Sequence, residues 1–381
     1  MKRVNYWIVL LLILISIVLL AFSFWFFQPK KKLNIFILDK TVTDFSYREH
    51  ASFVWLLRNK NIVTPENKNY SVSKDYYGFI PLKPGEKDKY KIRSISLFEV
   101  LTKSDNFDMA YYTDNYGVFN NDLTDSSLNI RPYLVYGGLN QNDYLLLREL
   151  KRKNKLIITE FNLFGSPTSE LIREKTEELF DLRWTGWTGR YFKSLKNLPK
   201  NQIPEWIISS YQKNYQKPWD FISPGMVLIH EHGKIVVLEE NTDLNSAMPS
   251  IVSTSESQQK YNLPSIQKYP FWFDIIQTSK NNTIQAFFKL DLTEKGIKEL
   301  KDNGIPNTFP AIIEHLDNYK FYYFSGDFSD HLPTPWLSTF KGVPGVMNKI
   351  HTGSIGTSNE FFWNFYVPLL NGILDKQFYN N

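Results

Sequence analysis

Short apolar runs alternating with helical periodicity limit the fold of this chain more than any single motif does. Residues 33–38 (LNIFIL), 107–112 (FDMAYY), 133–136 (YLVY) and 156–159 (LIIT) each have the length and composition of a strand. Between them, residues 47–58 bring Ala51, Val54 and Trp55 round at helical spacing, residues 96–102 form a short helical run, and residues 142–153 place Tyr144, Leu147 and Leu150 on one face. Asp44 or Ser46 can cap the first of these helices, and Arg152 and Lys153 suit the C-terminal dipole of the last. Uninterrupted apolar strands are buried on both faces, and parallel neighbours need a crossover that a helix supplies. The expected fold is α/β, a three-layer arrangement around a mostly parallel sheet with antiparallel additions.

The stretch 155–190 is the centre of this pattern. After the strand at 156–159, Ser166 reads as a helix N-cap with Pro167 at the first helical position, and the helix gives way to a loop carrying Trp184 and Trp187. Residues 61–92 are polar and rich in lysine, asparagine and tyrosine, as an excursion from the sheet would be. Beyond Arg190 the rhythm changes. Residues 225–230 and 234–239 flank Glu231-His232-Gly233 as a hairpin, and 271–276 and 284–290 are strands around a turn at 280–282. A polar helix over 293–302 is capped by Thr293, and strands at 310–313 and 320–324 follow, the second ending in Ser325-Gly326-Asp327. Residues 341–356 read as a loop and 360–377 as a helix despite Pro368. The later strands extend the sheet antiparallel or build a small second lobe, with a possible sub-boundary near 195.

Residues 7–27 are apolar apart from two serines, long enough as a helix to cross about 30 Å of hydrocarbon. Tyr6, Trp7 and Trp25 suit the interfacial belts, and Lys2, Arg3 and Lys30 to Lys32 flank the run on both sides. A cleaved signal peptide is the competing reading, with Ala21-Phe22-Ser23 as a cleavage site, but the apolar run continues through Phe27. The expected organisation is a tail and signal anchor over 1–32 and an extracytoplasmic α/β domain over 33–381, single-pass in the cell membrane.

Composition removes several functions. None of the 381 residues is cysteine, so disulfides, thiolate metal sites and cysteine nucleophiles are absent. The net charge of +5 is scattered rather than blocked, which argues against nucleic acid as a partner. Aromatic residues make up 16% of the chain, either a bulky core or a surface that stacks on sugar rings. No Gly-x-Ser-x-Gly elbow, P-loop, zinc-protease helix or dinucleotide fingerprint occurs, and nothing calls for a cofactor.

The order strand, helix, strand, Gly137-Gly138, helix, strand, loop, helix, then a late Phe309-Pro310-Ala311-Ile312 strand and one ending in Ser325-Gly326-Asp327, resembles the class I glutamine amidotransferase-like superfamily of flavodoxin-like folds. It is also similar to the small trehalose-utilisation-type relatives of that group, over roughly residues 33–330. The resemblance implies a cysteine nucleophile in a Gly-x-Cys-x-Gly elbow. The corresponding strand end here reads Thr159-Glu160-Phe161-Asn162, so it implies a member without amidotransferase chemistry.

In a parallel sheet Asp39, Asp114, Gly137-Gly138, Glu160 and Asp327 would share the carboxyl rim, where open α/β folds bind ligands. Glu160, with Asp39 or Asp327, can form an acid and base pair or bind a hard cation; the plainer reading is that these acids cap helices and turns. Asn162, Gly165 and Ser166 can receive an anion at a helix start. Trp184, Trp187 and Arg190, beside glycines, can lie against a sugar and hydrogen-bond its hydroxyl or carboxylate groups, or fold back over the core. His230 with His232, and Asp327 with Asp330 and His331, lack a marked set of further ligands, and no metal is assigned. The leading expectation is a membrane-anchored protein that binds or scaffolds cell-envelope polysaccharide, with glycan or envelope-assembly proteins as partners. The alternatives are a carboxylate-based or metal-assisted glycan hydrolase and a structural component of a membrane complex.

Overall fold

A computed structural model of the chain describes residues 6–123, 133–196, 203–331 and 334–379. The first element is a 21-residue helix, α1 (Tyr6–Phe26), long and apolar enough to span a membrane. Lys2 and Arg3 lie outside the described residues. The end of α1 is tied to the rest of the chain: Trp25 Nε1 donates to the Arg58 carbonyl at 2.9 Å, and Asn61 Nδ2 donates to the Trp25 carbonyl at 2.7 Å.

The chain then runs through β1 (Lys31–Lys32), β2 (Ile35–Asp39), α2 (Arg48–Asn59), β3 (Ile62–Val63), β4 (Tyr77–Pro81), β5 (Tyr90–Arg93) and α3 (Leu97–Lys103). The next elements are β6 (Met109–Tyr112), β7 (Val118–Phe119), α4 (Asn120–Leu123), β8 (Leu134–Tyr136), α5 (Gln141–Arg152), β9 (Leu156–Thr159) and α6 (Glu170–Phe180). Capping boxes at Ser96 and Asn140 start α3 and α5. The segment read as an excursion therefore contains β3, β4 and β5. The N-cap of α2 is Tyr47 in a left-handed conformation, not Asp44 or Ser46. Nor does Ser166 start a helix: α6 begins three residues after Pro167, behind Ser169, so Gly165 and Ser166 present no helix N-terminus to an anion.

The residues after α6 form not a loop but an eleven-residue strand, β10 (Leu182–Phe192). Tryptophan, threonine, tyrosine and phenylalanine are strand formers, and Gly186 marks the bulge where the pairing register shifts between Trp184 and Thr188. There follow α7 (Glu205–Tyr215), β11 (Gly225–His230), β12 (Ile235–Glu239), β13 (Leu244–Ser253), α8 (Ser255–Tyr261), β14 (Ile266–Lys268) and β15 (Trp272–Thr278). The last part comprises β16 (Thr283–Leu292), α9 (Glu294–Asp302), capped by Thr293, then β17 (Thr308–His315) and β18 (Lys320–Phe324). A 3-10 turn (Trp336–Thr339), α10 (Val343–His351), α11 (Ser358–Phe361), a π-helical turn (Phe362–Tyr366) and α12 (Val367–Phe378) complete the described chain. The segment read as a loop at 341–356 thus contains α10.

The large sheet is mixed, in the order β14-β13-β16-β17-β18-β9-β6-β2-β4-β5. Five consecutive strands, β18, β9, β6, β2 and β4, are parallel, while β14, β13, β16 and β17 on one side and β5 on the other pair antiparallel, so the sheet is mixed rather than mostly parallel as expected. Side chains alternate between two cores: Ile35, Ile37, Met109, Tyr111, Leu156 and Ile158 enter one, and Phe36, Leu38, Ala110, Tyr112 and Ile157 the other. β8 is not part of this sheet; it pairs with β7 alone, so Gly137-Gly138 does not follow a strand of the main sheet.

A second, antiparallel sheet has the order β12-β11-β10-β15. Of the later strands, β13, β14, β16 and β17 extend the large sheet antiparallel, and β11, β12 and β15 join β10 in the second sheet. β15 and β16 do not pair with one another, since each belongs to a different sheet. β10 and β11 lie on either side of residue 195 yet pair over six residues, so a boundary there would divide one sheet. β15 reaches the rim of the large sheet, where the Asp274 N–H donates to the Ser325 carbonyl at 2.7 Å.

Candidate functional site

The strand order reverses between β2 and β6, the position where open α/β sheets leave a crevice at the carboxyl ends of their strands. Asp39 closes β2 and is wholly buried. Its Oδ2 lies 2.6 Å from His50 Nδ1, and its Oδ1 accepts the Thr41 N–H at 3.1 Å. The following ammonium, Lys40, is also buried and donates to Asp143 and to the Gly138 carbonyl, both at 2.6 Å. Asp39 and Lys40 thus brace the floor rather than face outward.

β6 leads into Thr113-Asp114-Asn115. Asp114 Oδ1 accepts the Tyr116 N–H at 2.7 Å and Asn162 Nδ2 at 3.2 Å. Asn162, in a left-handed conformation after β9, also donates its backbone N–H to Asp274 at 2.8 Å. Asp274 accepts the Thr188 hydroxyl at 2.9 Å and the Tyr323 hydroxyl at 3.0 Å, so one buried carboxylate joins the second sheet to the rim. Asn115 is wholly buried, and neither polar atom of its side chain has a hydrogen-bond partner, a rare condition in a folded chain.

Glu160 is sealed. The Tyr111 hydroxyl donates to one oxygen, and the Ser329 N–H and hydroxyl donate to the other at 3.0 and 2.9 Å. Burial nevertheless outweighs these bonds and pushes its carboxyl up to about 7. The acid and base pair expected from Glu160 with Asp39 is therefore held inside the structure, with its oxygens already occupied.

The outer group is different. Glu49 from the first turn of α2, Asp114 after β6, and Asp327 and Asp330 after β18 interact electrostatically, with Arg48 ion-paired to Asp330 and Arg190 reaching them from β10. Burial, then Asp327, Asp330, Asp114 and Asp39, holds the Glu49 carboxyl well above the usual carboxylate range. Burial and the neighbouring carboxylates do the same to Asp327. Asp114 is pushed up to about 7, chiefly by burial, against the hydrogen bonds from Tyr116 and Asn162. Asp330 is raised by burial in spite of Arg48 and Arg190. A carboxyl in such a group donates when neutral and accepts when ionised. It can grip hydroxyl groups and exchange protons with them.

Of the nominated residues, Asp39, Asp114, Glu160, Asn162, Asp327 and Arg190 come to this rim. Glu49, Asp274 and the unpartnered Asn115 had not been singled out; Arg48-Glu49-His50 opening the first helix was the available signal. Gly137 and Gly138 serve the backbone instead. A Cβ on Gly137 would meet the Tyr116 carbonyl oxygen at 2.4 Å, and one on Gly138 would meet the Pro167 carbonyl at 2.8 Å. Trp184 and Trp187 are core residues, 8% and 5% exposed, with Trp184 Nε1 donating to the Trp187 carbonyl at 3.0 Å. Of the two expected roles, their rings fill the one folded over the core. His230 and His232 sit at the β11–β12 turn, and His331 Nε2 lies 2.9 Å from Asn359 Oδ1. Among the described residues no group of three or more His, Asp or Glu is placed to hold a metal ion.

The fold and rim define a mixed α/β protein with an N-terminal apolar helix and an acidic site at its parallel strand ends. Solved structures similar to the chain include ThuA-like proteins. One from Bacteroides uniformis is 9% identical, covering 92% of this chain and 94% of that one with a TM-score of 0.39. Another, from Parabacteroides merdae, is 9% identical over 78% of this chain and 79% of that one with a TM-score of 0.37. A cold-adapted β-galactosidase from Rahnella is 7% identical over 85% of this chain but 31% of its own, with a TM-score of 0.35. At these values no functional residue is carried across. No protein-family model matches the chain, and no curated protein is significantly similar to it.

Proposed function

We propose that this is a membrane-anchored, extracytoplasmic protein of flavodoxin-like, amidotransferase-like architecture that binds cell-envelope polysaccharide at its acidic rim. The parallel strands β2, β4, β6, β9 and β18 lie in the order 2-1-3-4-5 when numbered along the chain, which supports a flavodoxin-like reading. With no cysteine in the chain, amidotransferase chemistry has no nucleophile.

The convergence of Glu49, Asp114, Asp327 and Asp330 with Arg190 carries the glycan reading. Carboxylates accept from neighbouring sugar hydroxyls, and a guanidinium donates to hydroxyl or uronate oxygens. Titration calorimetry of the full chain in detergent with purified envelope glycans is the test. Binding that weakens roughly tenfold or more in Asp114→Asn and Arg190→Gln is expected, tenfold being about 1.4 kcal/mol. If no glycan binds, the reading is wrong.

The raised Asp114 carboxyl favours a second reading, glycan hydrolysis, because an acid near 7 can hold a proton for a leaving group beside an ionised neighbour. Release of reducing ends from the same glycans, lost in Asp114→Asn, distinguishes it from binding alone.

A further inference from the structure

The last turns of α1 do not stand clear of the rest of the chain. The Phe340 ring packs on Phe22 and Trp25, with centroids 5.3 and 5.7 Å away. Lys341 shares with Leu20, Ser23, Phe24 and Phe27 a cleft of about 510 Å³. At about 1.5 Å per residue, Phe22 lies roughly 6 Å and Leu20 roughly 9 Å before the end of the apolar helix. A segment touching those residues sits below the level at which a spanning helix would leave the hydrocarbon.

That segment is built for such a place. Trp336 and Leu337 of the 3-10 turn are exposed, Trp336 to 68%. In α10 the inner side is held by Met347 against the core and by Asn348 Nδ2, which donates to the Trp363 carbonyl at 3.1 Å. Val346 and Ile350, one turn apart, point away from it and are 55% and 63% exposed. Lys341 and Lys349 flank this apolar stripe, and among the described residues neither has an acidic partner within 4.0 Å. Apolar and tryptophan side chains on one face with lysines beside them are the features of a helix lying in a membrane interface.

We infer that the 3-10 turn and α10 form an interfacial foot: Trp336, Leu337, Val346 and Ile350 enter the headgroup and acyl boundary of the bilayer that α1 crosses, and Lys341 and Lys349 meet anionic lipid phosphates. This rests on the membrane-anchored reading of α1. The foot fixes the orientation of the domain. Trp25 bonds the C-terminal end of α2, which runs back along the parallel strands, so the acidic rim at the opposite end of those strands faces away from the membrane.

The cysteine-free chain suits site-directed nitroxide labelling. Val346→Cys, Ile350→Cys, Ile13→Cys in α1 and Leu171→Cys in the first turn of α6 would be labelled in the full-length protein and reconstituted in phosphatidylethanolamine and phosphatidylglycerol vesicles. Collision with oxygen and with a water-soluble nickel chelate is then measured. Labels at 346 and 350 are expected to favour oxygen as the label at 13 does, while the label at 171 favours nickel. If 346 and 350 match 171 while 13 stays in lipid, the foot is refuted and the anchor stands. Shielding of 346 and 350 from both reagents would assign the face to a protein partner or a second copy and also refute the foot. A label at 13 that favours nickel overturns the anchor and the foot together.

Discussion

His50 Nδ1 lies 2.6 Å from Asp39 Oδ2, and both side chains are buried. The other ring nitrogen is 2.7 Å from the Val72 carbonyl, which can only accept, so Nε2 carries a hydrogen. The short Nδ1 contact needs a second proton, held on the ring or on the carboxyl. This pair ties the end of β2 to the first turn of α2, the turn that presents Arg48 and Glu49 to the rim. Removing one partner strands the other in the interior. Asp39→Ala and His50→Ala are each expected to lose about 3–5 kcal/mol of stability. Denaturant unfolding of both single variants and the double variant checks it, and the double should lose clearly less than the sum.

The raised carboxyls make stability depend on pH. Glu160 goes from 4.5 to about 7, so between these values the folded chain keeps a proton that the unfolded chain has released. The stabilisation is complete below about pH 4.5 and is lost as pH rises through about 7. Asp114, raised from 3.8 to about 7, acts in the same direction. Thermal unfolding should therefore show a more stable protein at pH 5 than at pH 7.5. In Glu160→Gln the pH dependence should become shallower, by about 1.4 kcal/mol per pH unit across that window.

Asp327 is crowded by Asp330, Asp114 and Glu160, with Arg48 the one opposing charge among its main influences. Burial first, and then these neighbours, hold its carboxyl well above the usual range, so whatever fraction ionises at pH 7.5 is a cost to the fold. Asp327→Asn removes charge without changing shape, and its unfolding temperature at pH 7.5 should rise, by a change on the order of 1 kcal/mol, while glycan binding falls. A lower unfolding temperature would mean that the carboxylate supports the fold instead.

These residues differ in how far they could be read from the chain. β2, β6, β9 and β18 were legible because strands buried on both faces have apolar runs with no polar interruption, and this placed Asp39, Asp114, Glu160 and Asp327 at one rim. β13 was hidden because its alternation is broken by Asn245, Pro249 and several serines, and its place comes from pairing with β16. α10 was hidden by Gly342, Pro344 and Gly345, which argue against a helix; Met347 and Asn348 hold it by tertiary contact. Glu49 reaches the site from a helix start, where Arg48-Glu49-His50 was the one local signal, and Asp274 comes from another sheet, which no local pattern reveals. Accessibility was equally illegible: Glu160 follows a strand and Glu49 opens a helix, and only packing fully buries the first and leaves the second half-buried at the rim.

The tryptophans of β10 offer the cleanest separation of core from ligand surface. Trp187 packs edge-on to His230, with ring centroids 4.9 Å apart, and belongs to the same apolar cluster as Met226, Leu228 and Phe273. Trp184 lies in the opposite cluster, with Arg173 5.5 Å from its ring. Replacing either with alanine empties a large buried volume and should lose about 3–5 kcal/mol. Trp187→Phe keeps most of the volume and should stay folded with a smaller loss. If these rings serve packing alone, Trp187→Phe will bind glycan as the parent does, whereas Arg190→Gln, with its loss at the rim, will not. A Trp187→Phe protein that unfolds at the parent temperature yet binds tenfold more weakly would return the tryptophans to the ligand surface.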